Sequence, residues 1–229
     1  MPSDDPHTAP GTRAELETVW GECQSSHDRL VATVSDLDDA AVHGPSRLEG
    51  WTVGHVITHL ARNADSHTRM LRAALDGDAV EQYAGGRQER AGAIEAGAGR
   101  SASALVDDTM RSVTELETAW VDMTPEAWNG NGLSRGRPWP CRALPYFRWR
   151  EVEIHHVDMG VDYSPQDWAE DYVRRELQLT LATVPGRLAD GVERRQLLAW
   201  LTGRSASPGE LDLASWESRR GDYFKGLTD

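Results

Sequence analysis

Apolar residues recur every three or four positions in four long segments of the chain, which is the period of an amphipathic helix. These segments run over about 13–37, 52–75, 105–123 and 140–160. Thr52 is a favoured residue for capping the start of the second helix, and Gly77 and Gly160 follow the ends of the second and the fourth. Four long helices joined by loops predict an all-α fold, a four-helix bundle.

The two longest connections have compositions that disfavour helix. Residues 76–92 are polar and rich in glycine, which predicts a loop. Residues 125–140 hold many Asn, Gly and Pro residues, which predicts a turn-rich connection with room for a short hairpin. Tandem repeats and low-complexity tracts are absent from the sequence. The chain is therefore expected to fold around one bundle core.

Shorter helical patterns follow the bundle. Ser164-Pro165 is an N-cap and first-turn pair for a helix that should run to about Val184, and a further helix is expected over 188–201. Only 211–214 shows the alternation typical of a strand. These patterns predict a bundle domain over 13–162 and a short, mostly helical C-terminal extension over 163–229.

The charge balance excludes two classes of partner. The 229 residues include 24 Lys and Arg against 37 Asp and Glu, a formal net charge of -13. Such a chain repels phosphate backbones and anionic lipid, so we expect no nucleic-acid or membrane partner. No apolar run approaches the roughly 20 residues of a membrane span, and residues 1–12 lack the apolar core of a signal peptide. We expect a cytoplasmic protein, either a monomer or a homodimer.

The two cysteines, Cys23 and Cys141, are too few to form a disulfide framework in a chain of this length. We expect both to be reduced thiols. Cys23 lies on the apolar stripe of the first helix, which indicates core packing. Cys141 opens the fourth predicted helix, where the helix N-terminus could lower its pKa, so a reactive role for this thiol stays open.

Two pairs of residues have the spacing of metal ligands on a helix. Glu151 and His155 are four residues apart on the fourth helix, and His55 and His59 are four apart on the second. If these helices are neighbours, a carboxylate and one or more imidazoles meet between them, and three such ligands leave a fourth zinc position open for water or substrate. The alternative is a pair of solvated helix contacts. The apolar residues around both pairs favour the metal site, because an unpaired buried Glu151 would be costly.

Three segments resemble a known family. The segment Leu48–Thr52, followed by His55 and His59, and the segment Arg150–Gly160 are similar to those of the mycothiol-dependent maleylpyruvate isomerases. That family belongs to the DinB/YfiT-like metal-binding bundles. The segment Arg90–Ala98 looks like its inter-helix motif, so the resemblance covers about 16–160.

The resemblance implies specific ligands and cofactors. It assigns zinc, or another divalent metal, to His59, Glu151 and His155, and leaves His55 as a structural residue that is hydrogen-bonded within the bundle. It implies mycothiol as the thiol cofactor and a small anionic electrophile as the partner molecule. It also places an essential arginine near Leu201–Arg204, so Arg204 is the candidate that binds a substrate carboxylate.

The implied reaction is the isomerisation of maleylpyruvate to fumarylpyruvate by reversible thiol addition. Arg90 and Arg150 are second candidates for binding the substrate carboxylate. The isomerases of this family carry an α/β region after the bundle, whereas residues 163–229 show no such pattern. Two alternatives therefore stay open: a mycothiol S-transferase that acts on another electrophile, and a non-catalytic metal-binding bundle.

Overall fold

The computed structural model describes residues 10–188, 191–211 and 213. These residues divide into two compact units, one over 10–168 and the other beginning at Ala169. The expected boundary between the bundle domain and the extension, at 162/163, stays a prediction. Within the described ranges, every helix is too short or too polar to cross a lipid bilayer.

The first unit is built from helices and one small hairpin. Its elements are α1 (Arg13–Ser35), α2 (Asp39–His43), α3 (Val53–Leu75), α4 (Gly86–Ala98), α5 (Ala102–Asp122), α6 (Pro125–Trp128), β1 (Asn131–Ser134), β2 (Arg137–Pro140) and α7 (Leu144–Asp158). Short 3-10 turns cover Cys141–Ala143 and Pro165–Asp167. The helical composition confirms the predicted all-α bundle.

Helix α3 is the centre of this unit, because it packs against α4, α5 and α7. Its apolar face buries Val56, Ile57 and Leu60 against residues such as Leu105 and Val152. Burying these side chains supplies most of the favourable free energy of a helix that would be marginal in isolation. Helix α1 closes the bundle against α5 and α7.

Glycine allows α3 and α4 to approach closely. A Cβ atom on Gly54 would collide with the carbonyl oxygen of Ala98, and one on Gly97 would lie 2.5 Å from Thr58 Cγ2. At Gly54 the obstructing atoms are backbone, so no larger residue fits there without moving a helix, whereas at Gly97 the nearest obstruction is the Thr58 side chain. The close contact fixes α4 beside the N-terminal half of α3.

The expected loop over 76–92 is wrong in its second half. Helix α4 begins at Gly86, inside that segment, and is separated from α5 by the short break at Gly99–Ser101. Its N-cap, Gly85, makes no side-chain capping bond, and it buries only Ile94, Gly97 and Ala98. This helix therefore carries almost none of the apolar periodicity by which a helix is recognised.

The expected hairpin is present in the 125–140 connection. Strands β1 and β2 pair antiparallel, with Asn131 opposite Pro140 and Ser134 opposite Arg137. Arg135 and Gly136 form the two-residue turn with φ values of 54° and 75°, the conformation that suits a tight hairpin. Helix α7 then begins at Leu144, a few residues later than expected.

The second unit contains helices α8 (Glu170–Arg187) and α9 (Gly191–Leu201). Ser164 does form a capping box, but it caps the 3-10 turn over Pro165–Asp167, so the expected long helix starts only at Glu170. Leu213 forms an isolated bridge with Leu188. The remainder of the expected 211–214 strand falls partly outside the described residues.

Candidate metal centre

Helices α3 and α7 bring His59, Glu151 and His155 to one point. One ligand atom from each of the three lies within 4.8 Å of the other two. Glu151 Oε2 is 3.1 Å from His59 Nε2 and 3.5 Å from His155 Nε2, and the two imidazole rings meet edge to face at 4.6 Å. The structure therefore brings Glu151 and His155 of α7 together with His59, one of the two histidines predicted on α3.

The cluster lies in the bundle interior and its charges are mutually stabilised. Burial lowers the pKa of His59 to about 4, so this ring is neutral. Burial opposes the charge of Glu151, but hydrogen bonds from His155 and His59 outweigh it and hold the carboxyl pKa well below its usual range. Burial likewise opposes charge on His155, but Asp158 and Glu151 together raise its pKa to about 9.

Two residues outside the cluster contact the ligand rings. Nδ1 of His155 donates to Asp158 Oδ2 at 2.8 Å, which fixes the ring with Nε2 facing Glu151. A carboxylate behind a ligating histidine is the common arrangement in zinc sites. Arg90, on α4, places Nη2 3.1 Å from His59 Nδ1. Asp158 was not singled out from sequence, although its position three residues after His155 on the same helix was a usable signal.

His55 is a capping residue and lies apart from the three-residue cluster. Its Nδ1 accepts from the backbone N–H of Thr52 at 3.1 Å, while the Thr52 hydroxyl accepts from the His55 backbone, a capping box at the start of α3. Its Nε2 faces Glu95 at 3.3 Å. The half-buried Trp51 stacks on His55 and presents its ring edge-on to His59, with both pairs of centroids 5.9 Å apart.

The donor set fits a catalytic zinc. One carboxylate oxygen and two imidazole nitrogens are common zinc ligands, and three protein ligands leave one tetrahedral position open. Ligand atoms at about 2.0–2.2 Å from a tetrahedral centre lie roughly 3.4 Å apart. The separations of 3.1 and 3.5 Å around Glu151 Oε2 are close to that value.

Neither protein thiol is suited to act as the nucleophile. Burial raises the pKa of Cys23, which lies in the core with its Sγ 3.8 Å from His27 Nε2. For Cys141, the structure does not support the possibility of a thiol activated by a helix N-terminus. It lies buried in a 3-10 turn ahead of α7, and burial raises its pKa to about 11.

The arginines considered from sequence lie in different places. Arg204 follows α9 in the second unit, where its exposed side chain donates to the carbonyl of Thr202 and borders a shallow depression on α9. Its proposed contact with a substrate carboxylate stays a prediction. Arg150 is buried within α7, and Arg90 contacts the cluster directly.

Comparison with known proteins identifies the family. The sequence profile of the "Mycothiol maleylpyruvate isomerase N-terminal domain" family matches residues 23–160, a segment that contains His59, Glu151 and His155. The chain belongs to this family. This membership confirms the resemblance seen in the sequence and the expectation of an enzyme of the isomerase type.

Two solved structures are similar to the chain. They are crystal structures of the mycothiol-dependent maleylpyruvate isomerase and of a histidine-to-alanine mutant of it. Each is 28% identical to this chain, with a TM-score of 0.70, over 77% of this chain and 74% of the other. No curated protein sequence matches the chain.

Proposed function

We propose that the chain isomerises maleylpyruvate to fumarylpyruvate by reversible addition of the mycothiol thiol, assisted by zinc or another divalent metal. The observation that carries the proposal is the convergence of His59, Glu151 and His155 in the interior of a bundle of this family. The names of the family and of the similar structures supply the thiol and the substrate. A cation bound here would lower the pKa of the thiol, so that the nucleophilic thiolate is available at neutral pH.

The surrounding residues prepare the three side chains for this role. Glu151 stays ionised because its pKa is held low, and His59 stays neutral because burial lowers its pKa to about 4. Asp158 holds the His155 ring with Nε2 facing the cluster, so that the ring needs only to release a proton to become a ligand. Trp51 packs against His59 with the two rings edge to face.

The test is a thiol-dependent assay with a matched control. Purified protein is mixed with maleylpyruvate and mycothiol, and turnover is followed by absorbance before and after chelation. We expect turnover that chelation removes and added zinc restores. In His59→Ala, turnover should fall by about a hundredfold or more and zinc affinity should fall with it, because one of three ligands is lost.

His55→Gln is the control, since it alters the neighbouring histidine of α3 and keeps a residue that favours the capping box. This variant should retain zinc binding and turnover. Equal activity in His59→Ala and wild type would contradict the metal role. A protein that loads zinc with no open coordination position and turns over no electrophile would be a non-catalytic metal-binding bundle.

A mycothiol S-transferase is the second candidate. It is favoured by the surroundings of Arg204, whose guanidinium donates to the carbonyl of its own turn and is exposed. A transferase needs the same three ligands but no residue dedicated to a second carboxylate. A wild-type protein that binds zinc, leaves maleylpyruvate unchanged and conjugates mycothiol to another electrophile would support it.

A further inference from the structure

Arg90 contacts the candidate metal centre from a third helix, α4. Its half-buried side chain places Nη2 3.1 Å from His59 Nδ1. A guanidinium N–H can only donate, so His59 Nδ1 accepts and the ring proton lies on Nε2, from where it is donated to Glu151 at 3.1 Å. Two hydrogen bonds therefore join Arg90, His59 and Glu151.

Metal binding is incompatible with this contact. Nε2 of His59 is the ring nitrogen that faces Glu151, and a neutral imidazole that ligates through Nε2 carries its proton on Nδ1. The N–H groups of His59 and Arg90 would then point at each other, so the arginine has to leave. A guanidinium beside a divalent cation is also repelled unless an anion lies between them.

A second polar group, the hydroxyl of Tyr83, lies near Arg90. The hydroxyl of Tyr83 lies within electrostatic reach of Arg90 and Glu151. The hydroxyl is buried and lies close to the Ser66 hydroxyl and the Arg90 guanidinium, but none of these contacts has the geometry of a normal hydrogen bond. A carboxylate placed between Arg90 and the cluster would accept bonds from the guanidinium and from this hydroxyl, and charge-assisted bonds of this kind are the strong ones.

We infer that Arg90 exchanges partners during loading of the site. It holds His59 in the metal-free protein and binds a carboxylate of the ligand once metal occupies the cluster. This inference rests on the proposed function and deepens it, because it assigns the carboxylate-binding residue to the bundle. Zinc and a carboxylate ligand should therefore bind cooperatively, with Arg90 as the link between them.

The test measures binding and does not require turnover. Zinc affinity is measured by competition with a chromophoric chelator, and the affinity of the zinc-loaded protein for maleate, a cis dicarboxylate, is measured by calorimetry. In Arg90→Met, zinc should bind about threefold more tightly, because a competing hydrogen bond is gone, and maleate about tenfold more weakly. Tyr83→Phe should weaken maleate binding severalfold and leave zinc affinity unchanged.

Arg87→Met is the matched control, because Arg87 is exposed on the same helix one turn earlier. Both affinities of this variant should stay within about twofold of wild type. Arg90→Lys keeps the charge without the planar fork and should recover part of the maleate affinity. The inference is overturned if Arg90→Met binds zinc no more tightly than wild type does, or if its maleate affinity stays within twofold of wild type. Either result leaves the proposed function intact. A wild-type protein that binds no zinc would instead overturn the proposed function.

Discussion

Asp158 shows how one residue outside the cluster determines what the cluster can do. Its carboxylate accepts from Nδ1 of His155 at 2.8 Å and is itself about four-fifths buried. The contact fixes which ring nitrogen faces Glu151, and it raises the basicity of that nitrogen as a ligand. The position of this carboxylate therefore bears directly on the proposed metal centre.

Replacing Asp158 by Asn should weaken metal binding without unfolding the bundle. The amide can still accept one hydrogen bond, but it carries no charge, so zinc affinity should fall by about 10- to 100-fold. Chelator competition gives the affinity, and thermal melting of the metal-free protein checks the fold. Asp162→Asn, a nearby exposed position, is the control and should bind zinc like wild type. Zinc affinity in Asp158→Asn that equals wild type would show that this contact does not support the site.

His55 and His59 on α3 show what the sequence can and cannot predict about individual ligand residues. Spacing alone allowed both His55 and His59 as ligands, because residues four apart share a helix face. Their surroundings separate them, since His59 is 2% exposed and faces α7, whereas His55 turns back to cap the helix at Thr52. The resemblance to the family distinguished the two residues, but spacing could not, because it carries no information on neighbouring helices.

At the scale of elements, the contact between α3 and α4 positions Arg90 against His59. Gly54 lies where a Cβ would strike the backbone of Ala98, so the separation of these helices depends on the absence of a side chain. Gly54→Ala should lower the free energy of unfolding by about 2 kcal/mol, because backbone has to move to admit the methyl group. Urea unfolding measures this directly.

Gly92→Ala, on the other helix of this pair, should change the free energy of unfolding in the opposite direction. Gly92 lies within α4 with open space around the added Cβ, so alanine should stabilise the protein by about 0.5–1 kcal/mol through reduced backbone entropy of the unfolded chain. Stabilisation by both substitutions would show that the helices are not in close contact at Gly54.

Helix α4 also marks where element prediction from sequence fails. The four long helices were predictable because each buries an apolar stripe, as α3 does with Val56, Ile57 and Leu60. Helix α4 is held instead by the close approach at Gly54 and Gly97, a tertiary contact that leaves no periodic pattern. The residue that contacts His59 from α4 was therefore placed by sequence in a loop.

The whole molecule carries a formal charge of -13, yet a cation is buried in the core of its first unit. Arg148 on α7 is fully buried, and its guanidinium donates to the Leu60 carbonyl, Asn63 Oδ1 and His27 Nε2. His27 in turn contacts Glu117 at 2.8 Å, so one carboxylate is linked to Arg148 through an imidazole. The interior therefore includes several titratable groups, and the stability of the protein should respond to pH.

Several buried histidines are neutral in the native state. Burial, the largest effect at each, lowers the pKa of four of them: His27 to about 4, His59 to about 4, His67 to about 3 and His156 to about 4. In the unfolded chain the histidine pKa returns to about 6.5. His155 is the exception, since its native pKa is about 9 because Asp158 and Glu151 outweigh burial.

These shifts predict that the metal-free protein is most stable near pH 6.5. As pH falls from about 6.5 towards 4, the unfolded chain binds up to four protons that the native state does not, so the free energy of unfolding falls. As pH rises from about 6.5 to 9, native His155 keeps a proton that the unfolded chain has lost, and this stabilisation disappears as pH passes through the native pKa. Urea unfolding with chelator present, from pH 4.5 to 9, measures the free energy of unfolding on both sides of this optimum.

Single substitutions identify which histidine causes the fall in stability on the acid side (the acid arm) and on the alkaline side (the alkaline arm) of the pH optimum. His155→Gln should flatten the alkaline arm, because among the histidines in the described part of the chain His155 is the one with a raised native pKa. His67→Leu should reduce the acid slope by about one proton, and the exposed His43→Gln should leave both arms unchanged. Bound zinc requires an unprotonated His155, so zinc-loaded protein should lose the alkaline arm while gaining stability throughout. A metal-free protein whose stability stays constant between pH 5 and 6.5 would mean that these imidazoles are not held neutral by the bundle interior.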